Sequence, residues 1–140
     1  MDGERIREIK EAINAADYAL ECLYDAQEYL NSARNWGVFD ILGGGMLATF
    51  VKRSKMRSAS DCIHEAKRAV ATFRRELADV DQAMPLAIDE GDFWGFADYF
   101  FDGFFADMMV QSQIAEARAQ VDDAISMISG LRAQLAALLV

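Results

Sequence analysis

From Glu4 to Asn35, apolar side chains recur at Ile6, Ile9, Ile13, Ala16, Leu20, Leu23 and Leu30, in steps that alternate three and four, with Gln27 in the one polar slot. This rhythm is the heptad seam of one long helix and predicts a rod of about 50 Å. A second seam, Ile63, Ala66, Val70, Phe73, Leu77, Val80 and Met84, stops at Pro85, which cannot continue a helix. A third runs Ile114, Ala117, Val121, Ala124, Ile128, Leu131, Leu135 and Leu138. Seams of this length are stable only against partner helices, since most helical stability comes from packing an amphipathic face. The pattern predicts an all-α fold of one domain over residues 1–140. Its expected form is an antiparallel bundle of three long helices with coiled-coil packing and short helical corners.

The corners resemble each other. At an offset of 58, Trp36-Gly37 aligns with Trp94-Gly95, Asp40 with Asp98, Gly45 with Gly103, Ala48 with Ala106, Ser54 with Ser112 and Ala59 with Ala117. The seams continue the match through Ala66 and Ala124, Val70 and Ile128, Phe73 and Leu131, Arg74 and Arg132, and Leu77 and Leu135. Tryptophan and glycine at fixed offsets are specific enough to read as duplication of a corner and its following helix. Only the first copy has the full glycine triplet, and Lys52 and Lys55 align with Val110 and Gln113. The motif W-G-x-x-D-x-L-G-G-G, followed by a helix containing lysine and serine, resembles a recurrent pattern in uncharacterised helical bacterial proteins. The resemblance covers roughly residues 35–117. It implies a helical fold and carries over no catalytic residue.

Apolar residues make up 53% of the chain and charged residues 26%, the balance of a globular domain. The formal charge of −9 argues against a nucleic-acid partner, whose phosphates this chain would repel, and against an anionic membrane surface. The charge is uneven: residues 1–45 carry a net −5, residues 46–77 a net +5 and residues 78–140 a net −9. A basic second helix suits a place between two acidic ones, although each exposed pair adds only about 0–1 kcal/mol. The basic run at 52–57, with Lys52, Arg53 and Lys55, is also a candidate surface for an anionic partner.

Candidate chemistry is sparse. Gly43, Gly44 and Gly45 precede the second helix, and a helix start can cradle an anion. A phosphate loop also requires G-K-[ST] after a strand, which is missing here, and the Asp40 carboxylate would repel a phosphate. The glycines therefore read as a structural corner, with Asp40 satisfying free amides; Asp98 repeats that role and Asp102, beside Gly103, is placed to cap the third helix. Asp98 and Asp102 share a helical face, so Asp40, Asp98 and Asp102 form an alternative divalent-metal set. The single histidine, His64, is in no Glu-x-x-His pair of the kind that di-iron bundles use. Cys22 and Cys62 lack metal or nucleophile spacing and read as cytosolic thiols. No catalytic residue and no cofactor is expected.

Aromatic residues are the strongest anomaly. Phe93, Trp94, Phe96, Tyr99, Phe100, Phe101, Phe104 and Phe105 place eight of the fifteen aromatics within thirteen residues. Wrapped on a helix, they exceed the stripe that one neighbour buries. Three readings fit: a local core closing the bundle end, a subunit interface, or insertion into a membrane surface. The expectation is a non-enzymatic cytoplasmic scaffold or protein-interaction module. It would self-associate, with a dimer as default, through this corner, with Trp36, Lys52, Arg53 and Lys55 as a secondary surface. A metal- or small-molecule-binding bundle is the alternative, and peripheral membrane binding is third.

Overall fold

The computed structural model describes residues 2–33, 59–99 and 114–140, and these form four helices and no strand. Helix α1 covers Gly3–Ala33, α2 Ala59–Ala83, α3 Phe93–Tyr99 and α4 Ile114–Ala137. The long helices fall where the seams predict. Asp2 starts α1: its Oδ1 accepts the Arg5 amide at 2.9 Å, satisfying one free donor of the first turn. α2 ends two residues before Pro85, and the chain turns at Leu86 with a φ of 66°.

Helix α1 is the centre of the structure. Its early residue Glu8 lies beside Glu76 and Asp79, late in α2, while Tyr18 reaches back to Glu65 at 2.6 Å. The two helices are therefore antiparallel. Ile6 and Lys10 meet Leu138 and Leu139 just past α4, and Asp17, Gln27 and Asn31 pair with Arg132, Asp122 and Arg118 in turn. So α4 is antiparallel to α1 as well, and α2 and α4 point the same way. The expected up-down-up order, with the second helix between the others, is corrected on this point. Charge favoured the basic helix as the centre, but exposed pairs are too weak to choose a topology, and apolar burial chose α1.

Burial along α1 also corrects the seam. Its buried line is Ile9, Ala12, Ala16, Ala19, Leu23, Ala26 and Leu30, with all four alanines at 0% exposure. Ile13, Leu20 and Gln27, the expected alternate slots, are half-buried, and Gln27 donates to Asp122 Oδ1 at 2.6 Å. The reason is geometric. A helix facing two neighbours buries a face wider than one seam, and the strip nearest both axes has room for little more than a methyl group. Ile13 and Leu20 pack against the core from its flank. The other two seams hold along most of their length: Ala66, Val70, Phe73, Leu77 and Val80 of α2, and Val121, Ala124, Ile128, Leu131 and Leu135 of α4, are buried, while the last residue of each seam, Met84 and Leu138, is half-buried.

Parallel α2 and α4 cannot be joined by a tight turn. The connection has to return along the bundle, and its described part includes α3. Ile88 and Phe93 enter the core, and Phe93 meets the ring of Phe73, midway along α2, edge-on at 5.6 Å. The second W-G pair therefore lies on the flank of α2, not at the end of the bundle.

An unfolding series checks the alanine strip. Ala19→Leu should cost about 1–3 kcal/mol by overpacking, whereas Leu20→Ala, which trims a half-buried side chain, should cost about 1 kcal/mol. Urea midpoints in the reverse order would restore the simple heptad.

Candidate functional site

Two clusters stand out around the C-terminal half of α2. The first is the α3 shelf. Phe93 anchors it from below, and the Trp94 ring lies edge-on to Phe93 at 5.5 Å. Arg74 of α2 serves it twice: the guanidinium carbon is 5.8 Å from the centre of the Trp94 ring, and Nη2 donates to Asp98 Oδ1 at 2.7 Å. Asp98 thus receives an arginine from the neighbouring helix, a role different from the expected satisfaction of helix amides. A cation bound through Asp98 would meet the positive charge of that guanidinium. Trp94 and Phe96 are half-buried and pack against the edge of the core, leaving part of each ring in solvent. Tyr99 closes the helix.

The second cluster is acidic. Glu8 of α1 and Glu76 and Asp79 of α2 bring carboxylate oxygens within 4.8 Å of one another. A shallow groove lined by Glu4, Glu8, Asp79, Gln82 and Ala83 opens beside them. Glu8 Oε2 and Glu76 Oε2 are buried without a hydrogen-bond partner, while Glu8 Oε1 is 3.6 Å from Arg7 Nη2. Burial, then the charges of Glu11 and Asp79, hold the Glu76 carboxyl above its usual range, with Arg75 opposing and Glu8 adding to the rise. Such a set can share a proton or accept a hard divalent cation through oxygen. Each glutamate immediately precedes a seam residue, Ile9 or Leu77. That was the available signal, and it becomes readable only once the antiparallel register is known.

Elsewhere the α1–α2 contact has a polar edge. The Tyr18 hydroxyl donates to Glu65 Oε1, and Arg68 adds a second donor, so Glu65 is held below the usual carboxylate range. Burial pushes the Cys22 thiol up to about 11, which keeps it a weak nucleophile at neutral pH. His64 is exposed. Trp36, Asp40, Gly43, Gly44, Gly45, Lys52, Arg53, Lys55, Phe100, Phe101, Asp102, Gly103, Phe104 and Phe105 lie outside the described residues.

No known protein family, curated protein or solved structure matches this chain. Among the described residues, no helix is long and apolar enough to cross a membrane.

The acidic cluster makes a signed prediction. The folded state raises the Glu76 value, so its contribution is most favourable below the ordinary glutamate range and is lost as pH rises through the raised value. Glu76→Gln should therefore stabilise the protein at pH 7–8, by about 0.5 kcal/mol for relief of like charge. The gain should vanish near pH ~4, where glutamate takes up its proton. Urea unfolding at the two pH values decides it; an equal effect at both would remove the like-charge account.

Proposed function

We propose that the protein is a non-enzymatic helical scaffold or interaction module that self-associates, as a C2 dimer by default, through the aromatic corner that begins with α3. The observation that carries this reading is the half-buried pair Trp94 and Phe96 on the flank of the bundle, with Arg74 over the Trp94 ring. Tryptophan, phenylalanine and arginine together are the side chains most enriched where proteins meet. The run continues in sequence through Tyr99 to Phe105, so further aromatic residues follow α3 along the chain. A flank position makes the surface available to a partner in a way that a capped bundle end would not.

The internal duplication belongs to the same reading. At an offset of 58, equivalent positions are buried in α2 and α4, and both Arg74 and Arg132 pair with an aspartate of a neighbouring helix. We infer that the two units diverged in their corners, one gaining glycine and basic residues and the other aromatics. The similarity of the W-G-x-x-D corner to helical bacterial proteins stands as part of this proposal. So does a cytosolic setting, in which buried Cys22 and Cys62 stay thiols.

A second reading is supported by one observation. The divalent-metal alternative moves from Asp40, Asp98 and Asp102 to Glu8, Glu76 and Asp79, because Asp98 is held by Arg74 whereas the other three carboxylates converge. Native mass spectrometry with added Ca²⁺, Mg²⁺ or Mn²⁺ separates the readings: an unchanged polypeptide mass and no melting shift end the metal alternative.

For self-association, Trp94→Ala and Phe96→Asp should each weaken a dimer by about 2 kcal/mol or more, ~30-fold in Kd, the scale of an aromatic hot spot. Sedimentation or light scattering should show the mass falling toward monomer with the helical circular-dichroism signal retained. A wild-type protein that is monomeric at every concentration ends the proposal.

A further inference from the structure

Two measured contacts fix the register of α1 against α2. Carboxylate oxygens of Glu8 and Glu76 lie within 4.8 Å of each other, and the Tyr18 hydroxyl meets Glu65 Oε1 at 2.6 Å. Helices packed through a heptad repeat turn the same face to each other every seven residues. Counting on from Glu8 through Ala15 reaches Cys22, and counting back from Glu76 through Ala69 reaches Cys62. The second contact agrees. Cys22 follows Tyr18 by one turn on the same face of α1, and Cys62 precedes Glu65 by one turn on the same face of α2. The two cysteines of the chain therefore stand at one level of the α1–α2 contact, and both are buried, Cys22 at 6% and Cys62 at 1% exposure.

Their neighbours are small. Ala19 and Ala26 of α1 and Ala66 and Ala69 of α2 are all buried, and such side chains bring helix axes to the short end of the usual range of about 8–10 Å. Each Cα lies about 2.3 Å from its own axis, so Cα atoms on facing positions come to roughly 5 Å. A disulfide spans about 4.4–6.8 Å between Cα atoms. We propose that Cys22 and Cys62 are a redox staple, held as thiols in the structure and closed to a disulfide by a peroxide.

The step balances without any further reagent. Hydrogen peroxide oxidises one thiol to a sulfenic acid and leaves as water. The sulfur of the other thiol then attacks the sulfenic sulfur. An S–S bond forms, the S–O bond breaks, and the departing hydroxide takes the thiol proton as a second water. Two electrons pass from the sulfur pair to the peroxide. A reducing cytosol keeps the pair open, and thiol exchange with a small reductant reopens it. Closure ties α1 to the first turn of α2 and encloses residues 23–61, which carry the glycine triplet and the basic run of the first corner in sequence. A cross-link of this kind acts by restricting the chain between its ends. The staple uses no residue of α3 and holds whether or not copies associate through the aromatic face.

The test treats the full-length folded chain with hydrogen peroxide. Digestion without reductant should then yield one linked peptide pair joining Cys22 to Cys62, from a species that runs as a single chain on a non-reducing gel. The helical circular-dichroism signal should be retained. The urea midpoint should rise on closure and fall back when dithiothreitol is added, a reversal that methionine oxidation does not show. Cys22→Ala and Cys62→Ala should each abolish both the linked peptide and the dithiothreitol-sensitive rise; either one suffices if the other misfolds. A chain that yields only sulfinic or sulfonic cysteine, or only a link between two chains, overturns the staple. So does a link that forms in urea but not in the folded protein, or a midpoint that drops on closure.

Discussion

Ala12, Ala16, Ala19 and Ala26 set how closely two helices can approach α1, and most of the architecture follows from that distance. A buried line in which four of seven residues are alanine lets α2 and α4 pack against one helix from adjacent sides, so α1 contributes to both halves of the core. Once both are antiparallel to α1 they must be parallel to each other. Parallel helices need a crossover, and that crossover is what brings Ile88 and α3 onto the flank of α2. The position of the aromatic shelf is thus a consequence of four small side chains on a different helix.

Electrostatics works locally within this frame, not through net charge. The two basic residues after position 77, Arg118 and Arg132, both reach across to α1, where they meet Asn31 and Asp17. An acidic helix therefore sits against an acidic helix without a net-charge penalty deciding the matter, because the few cations stand at the contact. The acidic surplus collects instead around the last turns of α2. There Glu8 faces Glu76 and Asp79. Two of the buried carboxylate oxygens without partners among the described residues, Glu8 Oε2 and Glu76 Oε2, belong to this contact. Apolar packing holds like charges together, and the cost appears as raised glutamate values.

The sequence was legible in proportion to how one-sided each helix is. The seams of α2 and α4 use Val, Phe, Leu and Ile on the single face each turns to the core, so their rhythm identified the buried positions directly. On α1 half of the reading survived: Ile9, Ala16, Leu23 and Leu30 are shared by both possible seams. The other half turned on choosing between Ile13 and Ala12, or Leu20 and Ala19. Hydrophobicity favours the larger residue, and only the presence of a second neighbour favours the smaller. That neighbour is a fact about topology, which a one-dimensional pattern does not contain. The acidic contacts were hidden for the same reason. Glu8 and Glu76 are ordinary surface acids until the antiparallel register brings them together.

The crossover also bears on why aromatic residues are concentrated in the second corner. A segment returning along the side of a two-helix face has to be pinned from one side only, without the enclosure that a bundle interior provides. Large flat rings suit that task, since each buries much area for few rotatable bonds and can stack on a guanidinium at its outer edge. Phe93 supplies the pin and Trp94 the edge, with Arg74 set over the Trp94 ring and paired with Asp98. The exposed half of such a shelf is a by-product of one-sided pinning. A corner enclosed at the end of a bundle would have used its aromatics up in the core; a corner on the flank keeps part of Trp94 and Phe96 facing outward.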